Sequence, residues 1–202
     1  AKFDQAFAQL LGIMGSPRLG SNTDILLDEV LAGAAAAGAA TEKVVIARMR
    51  VTPCLELYHC AIDGTCSIQD DMRGLYDSLV AADCVVLASP VFFYGITSQA
   101  KAVVDRCQAL WVRRHVLKTW IPDVKLRRGA LVAIGATSGP KLFDGVALTA
   151  KYFFDAVGVH ESGRLLVRGI DARAQVRDYP EHLAAANALG RDLVAPPAGG
   201  GD

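Results

Sequence analysis

The chain lacks an excess of charge of either sign, with 21 Lys+Arg against 21 Asp+Glu in 202 residues. That balance argues against a nucleic-acid binder and against a polybasic membrane protein, which need positive charge to displace counterions or meet anionic lipid. Long apolar runs are missing too. The longest, Leu31 to Ala40, consists of Ala, Gly and Leu and falls far short of the ~20 residues that span a bilayer. Asp4 and Gln5 stand where a secretory leader carries its basic and apolar regions, so the expected location is cytoplasmic. Cysteine is sparse and odd in number, five in all, which points to reduced thiols or ligands rather than a disulfide scaffold.

Several familiar signatures are also absent. Gly12, Gly15 and Gly20 do not form Gly-x-Gly-x-x-Gly, and no Gly-Lys-Ser/Thr follows, so neither a dinucleotide fingerprint nor a P-loop is present. Cys107 and Arg113 have the spacing of a phosphatase signature, but the Gln-Ala-Leu-Trp-Val between them is helical and has no glycine to turn amides toward a phosphate. The match reads as chance. His115, His160 and His182 are isolated, and no catalytic dyad is assigned.

What is present alternates. With 52% hydrophobic residues, a chain of this length buries roughly 70% of its unfolded surface and forms one core. Apolar runs predict strands at Leu10–Met14, Lys43–Ala47, Cys84–Ala88, Ala130–Ala136 and Leu165–Val167. Apolar residues at helical spacing predict helices after Ser21, from Asp70-Asp71 to Val80, from Ser98 to Trp111, from Leu142 to Val157, and from Pro180 to Val194. Thr52 to Gln69 reads as loop. Strands alternating with helices imply an open parallel sheet covered on both faces. The expected layout is one domain over 1–195 with a disordered tail over 196–202.

In such sheets ligands bind beyond the carboxyl ends of the strands. Topology therefore singles out Gly15–Thr23, Ser89–Thr97 and Ala136–Pro140. The first places Ser16, Arg18, Ser21, Asn22 and Thr23 at a helix N-terminus, where free amides and the helix dipole favour a phosphate. Ser21 or Asn22 also suits as a helix cap. The second, Ser89-Pro90-Val91-Phe92-Phe93-Tyr94-Gly95-Ile96-Thr97, is apolar and aromatic and suits a flat ring.

Gly15-Ser16-Pro17-Arg18 with Ser21-Asn22-Thr23, Asp70-Asp71-Met72, Ser89-Pro90-Val91-Phe92-Phe93, Lys101 and Asp105-Arg106 together resemble the NAD(P)H-dependent FMN reductase and iron-sulfur flavoprotein family over about residues 9 to 160. The resemblance implies a flavodoxin-like, doubly wound five-stranded parallel sheet of order 2-1-3-4-5. It implies that Ser16, Arg18, Ser21, Asn22 and Thr23 hold the FMN phosphate. Pro90, Val91, Phe92, Phe93 and Gly95 would line the isoalloxazine, with Ser138 and Gly139 closing one side. The function expected is transfer of electrons from NAD(P)H through FMN to a small acceptor, in a homodimer or homotetramer. An electron carrier between protein partners is the alternative.

In the iron-sulfur branch, the loop before Asp-Asp-Met carries four cysteines. Here Cys54, Cys60 and Cys66 fit three of those places and Leu57 takes the other. A four-iron cluster wants four ligands. The residues leave open a cluster completed by His59 or an outside ligand, a three-iron cluster, zinc with His59, or metal-free thiols, the last being preferred. Arg113, Arg114, Lys118, Lys125, Arg127 and Arg128 form a basic run that suits either a solvated face or the phosphates of NADPH.

Overall fold

Buried apolar strands that alternate with amphipathic helices can satisfy their backbone only in a sheet sheltered on both sides. In the computed structural model, which describes residues 8–124 and 126–196, five parallel strands take the order β2-β1-β3-β4-β5. They are β1 (Gln9–Met14), β2 (Ala40–Val45), β3 (Cys84–Pro90), β4 (Arg128–Gly135) and β5 (His160–Arg168). The central three are nearly fully buried, and the edge strand β2 is exposed to half-exposed. This is the flavodoxin-like order expected from the sequence. Among the described residues, no helix is long and apolar enough to cross a membrane.

Helices cover both faces. On one, α1 (Asn22–Ala36) and α7 (Pro180–Val194) close over Leu10, Val86 and Val132. On the other, α3 (Met72–Ala81), α4 (Ser98–Arg106) and α6 (Asp144–Ala156) close over Leu11, Val85 and Leu131. The two helices of the first face touch backbone to backbone. A Cβ at Gly33 would overlap the Asn187 carbonyl, and one at Gly190 would overlap the Val30 carbonyl.

Boundaries moved where the apolar pattern is weak or runs on. The second strand starts at Ala40 and ends before a 3-10 turn over Ile46–Arg48, so the expected span to Ala47 is corrected. The last strand begins at His160, because exposed and half-buried residues alternate along it and only its end reads as apolar. The expected helix from Ser98 to Trp111 breaks at Cys107 into α4, a four-residue helix α5 (Gln108–Trp111) and a π-helical turn over Val112–Val116. The loop over Thr52–Gln69 contains a one-turn helix, α2 (Cys60–Asp63). Of the expected tail, residues 197–202 lie outside the described residues.

Candidate functional site

The site is built where β1, β3 and β4 end. Ser21 caps α1, its hydroxyl accepting from the Asp24 amide at 3.3 Å. Capping leaves donors over. Among the described residues, the amides of Ser21, Asn22 and Thr23 have no hydrogen-bond partner, and the exposed Arg18 guanidinium has none either. Ser16, Ser21, Asn22 and Thr23 are all buried. A small cleft of about 80 Å³ is lined by these residues with Arg18, Pro90, Val91 and Phe92. Positive dipole, free amides and a guanidinium are a set of donors that suits an anion.

Two details show how it is held. Asp24 is an acid at the same helix end, but its carboxylate accepts from the Gly20 amide at 2.7 Å and pairs with the Lys43 ammonium. Burial works against the Lys43 charge, yet its hydrogen bonds to Asp24 and Asp28 outweigh this and raise its pKa. The Asn22 side chain is committed to the fold. Its amide nitrogen donates to the Ala172 carbonyl at 2.9 Å and its oxygen accepts from the Val176 amide at 3.0 Å. Only the Asn22 backbone faces the task that the resemblance implies for that residue.

The second loop is a tight turn. Phe92 and Gly95 exchange both backbone hydrogen bonds at 2.9 Å, which puts Phe93 (φ 46°) and Tyr94 (φ 63°) at the corner in the left-handed region. Asn and Gly normally occupy such corners. Bulky side chains there carry strain of the kind that concentrates at functional sites. Phe93 is fully exposed, and Phe92 and Tyr94 are about half exposed. The turn rests on α6, where a Cβ on Gly145 would strike the Tyr94 carbonyl. Thr97 ties this loop to the first, donating its hydroxyl to the Gly15 carbonyl at 2.6 Å while its own amide donates to Ser89 Oγ at 3.2 Å.

The third loop stands at the same sheet end but joins the cleft differently from expectation. Ala136 lines it, whereas Ser138 and Gly139 do not. Arg168 orders this loop by donating to the Gly139 carbonyl and lying 4.8 Å over the Phe143 ring. Ile134, Ile170 and Asp171, which the sequence did not single out, also line the cleft. Ile134 was findable from the strand end, but Ile170 and Asp171 follow β5 with no local motif.

At the far end of α4, the cysteine loop is pinned by a buried ion pair. Arg106 donates to Asp70 at 2.7 and 3.1 Å and to the Thr52 carbonyl at 2.7 Å. Burial pushes the Asp70 carboxyl up, but the Arg106 hydrogen bonds, with those from the Thr52 and Met72 amides, outweigh it and hold the pKa below the usual carboxylate range. Cys54, Leu57, Cys60 and Cys66 line one cavity. The cysteines are reduced, and among the described residues no three His, Cys, Asp or Glu side chains are grouped to hold a metal ion. Burial, then the neighbouring Cys66 and Cys54, raise the Cys60 thiol pKa. These residues do not fit an iron-sulfur cluster. Cys107 is inert as well, since full burial pushes its thiol up to about 12.

Much of the basic run is spent on helix ends. Arg127 is buried and donates to the Leu79, Ala82, Val157 and Gly158 carbonyls, at the ends of α3 and α6. Arg128 donates to carbonyls at the end of α7, and Arg114 to Asp155 near the end of α6. Arg113 holds the Gly64 carbonyl of the cysteine loop at 2.8 Å. Cations at these positions complement the helix dipoles. Lys125 lies outside the described residues.

With the geometry established, residues 8–161 match the family model described as NADPH-dependent FMN reductase. The chain belongs to this family. It is 33% identical over 129 residues to an iron-sulfur flavoprotein of Methanocaldococcus jannaschii, covering 64% of this chain and 63% of that protein. It is 38% identical over 101 residues to an iron-sulfur flavoprotein of Archaeoglobus fulgidus, covering 50% and 51% respectively. The chain thus spans less than two thirds of the length of these relatives. A solved structure named NAD(P)H:quinone oxidoreductase from Methanothermobacter marburgensis superposes with a TM-score of 0.71 at 15% identity, covering 95% of this chain and 99% of that one. That likeness concerns the fold. The free amides, Arg18 and the exposed aromatic turn are a donor set and a flat wall that fit FMN.

Proposed function

We propose that the chain binds FMN, with its phosphate at the N-terminus of α1 and its ring at the Phe92–Gly95 turn. In this reading it is an oxidoreductase that takes electrons from NADH or NADPH and passes them to a small acceptor such as free flavin, a quinone or a metal ion. The observation that carries the reading is that, among the described residues, the amides of Ser21, Asn22 and Thr23 and the neighbouring Arg18 guanidinium have no partner.

Bound FMN would supply hydride acceptance and onward electron transfer. The protein's part is binding and orientation. Arg18 and the three amides neutralise the phosphate, each charge-assisted bond contributing about 1.5–3 kcal/mol. Thr97 keeps the phosphate loop and the ring loop in fixed relation. Phe92 and Tyr94 shield an apolar ring, and the Phe93 and Tyr94 amides, outside the Phe92–Gly95 pairing, are left for its polar edge. A homodimer or homotetramer, with a second copy over the exposed turn, completes the reading.

The alternative, an electron carrier that pairs FMN with an iron-sulfur cluster, draws support from the names of the archaeal relatives. The cysteine loop counts against it. An absorption spectrum of anaerobically purified protein, followed by steady-state NADPH oxidation with quinone or free flavin, separates these readings. Flavin bands with turnover support the reductase, and flavin with little turnover favours the carrier. Protein that neither contains nor takes up flavin defeats both.

A further inference from the structure

The cysteine loop and the α5 region enclose a cavity of about 700 Å³, within the range of small-molecule sites. It lies apart from the phosphate cleft. The two share no lining residue, and from Ser98 at the start of α4 to Asp105 at the cavity the helix rises about 10 Å. Leu55, Leu57, Tyr58, Trp111, Val112 and Val116 supply apolar and aromatic walls. Leu55, Leu57 and Tyr58 are 57%, 60% and 70% exposed, an unusual density of exposed apolar surface for one short loop.

Leu57 is presented on purpose-built backbone. Glu56 (φ 51°) and Tyr58 (φ 56°) flank it, both left-handed and neither a glycine, a strained arrangement of the kind found around ligand clamps. The walls hold the three thiols without gathering them for a metal, and Leu57 offers no donor. Charge narrows the occupant. Among the described residues neither Lys nor Arg lines the cavity, and of its two carboxylates Asp105 is paired with Lys101 at 2.7 Å, which leaves Glu56 as its acidic charge. An anion such as a nucleotide would meet the Glu56 carboxylate with no lining cation to offset it, whereas an uncharged aromatic molecule covers the apolar walls without that repulsion.

We propose that this cavity is a binding site for a neutral, flat, quinone-sized aromatic molecule, and that it carries no iron-sulfur cluster. Flavin binding is not required for it, so its test is separable from that of the flavin cleft.

The probe is N-phenyl-1-naphthylamine, which is neutral and fluoresces in apolar sites. Its comparison is 8-anilino-1-naphthalenesulfonate, which has the same rings and a negative charge. Both are titrated into oxidised protein with and without saturating FMN, after anaerobic incubation with iron and sulfide and removal of the excess. The proposal expects one neutral probe per chain, displaced by duroquinone but not by FMN, with the anionic probe at least about tenfold weaker. Leu57→Lys and Leu55→Lys, at exposed positions, should each weaken the neutral probe about tenfold while flavin content stays unchanged. Stoichiometric iron retained on the protein overturns the proposal. So do equal affinities for the two probes, displacement of the neutral probe by FMN, or unaltered binding in both variants. A change in sedimentation of Leu57→Lys with probe binding intact would mean that a second copy covers the cavity, and that also overturns it.

Discussion

In the Gly15–Thr23 loop three amides and a guanidinium have no partner among the described residues, whereas Asp70, Arg106 and the Thr52 backbone at the ends of the cysteine loop bind one another in a buried cluster. Both regions are rich in polar groups, and both lie at loops of one sheet. The first has donors to spare and little bulk around them, as an anion site requires. The second uses its polar groups to anchor a loop whose outer surface is apolar. Unpaired donors mark where a ligand supplies the missing acceptor, and paired ones mark scaffold.

The sharpest way to break that contrast is to unpair the scaffold. Arg106→Met leaves the Asp70 carboxylate buried without its cation, and about 3–5 kcal/mol of stability should be lost, measured by urea denaturation. Flavin affinity measured well below the unfolding midpoint should hold. The pair also has a pH signature. A carboxyl whose folded pKa is lowered stabilises fully above its unfolded pKa of about 3.9, and the contribution fades as pH falls through the folded value. Acid unfolding of the native chain should therefore lose an increment below about pH 4 that Arg106→Met does not show.

On the other side of the comparison, Arg18→Ala should leave stability within about 0.5 kcal/mol, since the side chain is exposed. FMN affinity should fall about tenfold or more, as loss of one charge-assisted bond predicts, read by fluorescence titration. Equal damage to stability and affinity would erase the distinction between the two loops. The smallest effect belongs to the strained corner. Phe93→Gly relieves a left-handed aromatic, so the turn should gain about 1 kcal/mol in thermal unfolding. NADPH oxidation should slow if the aromatic side chain serves the ring.

The central strands were legible because Leu10–Met14, Cys84–Ala88 and Ala130–Ala136 are short apolar runs that give way to Gly, Ser or Thr, the pattern of a covered parallel strand. The edges were not. The second strand slipped because its Ala40-Thr41-Glu42 start is exposed, and the break at Cys107 was hidden because Leu110 and Trp111 continue the helical stripe. The Gly15–Thr23 loop was legible as a contiguous segment. What the sequence could not convey was division of labour within it, since the side-chain partners of Asn22 are Ala172 and Val176, brought back by the chain after β5. The partners of the arginines were hidden for the same reason. The acceptors of Arg113, Arg114, Arg127 and Arg128 include carbonyls at helix ends distant in sequence, which the run itself does not reveal.

The most direct test of the phosphate site compares FMN with riboflavin, the same ring without the phosphate, by titration of flavin-free protein and of Arg18→Ala. If the α1 amides and Arg18 hold the phosphate, FMN should bind at least about a hundredfold tighter than riboflavin, and the gap should narrow in the variant. Equal affinity for the two flavins in the native chain would contradict the account.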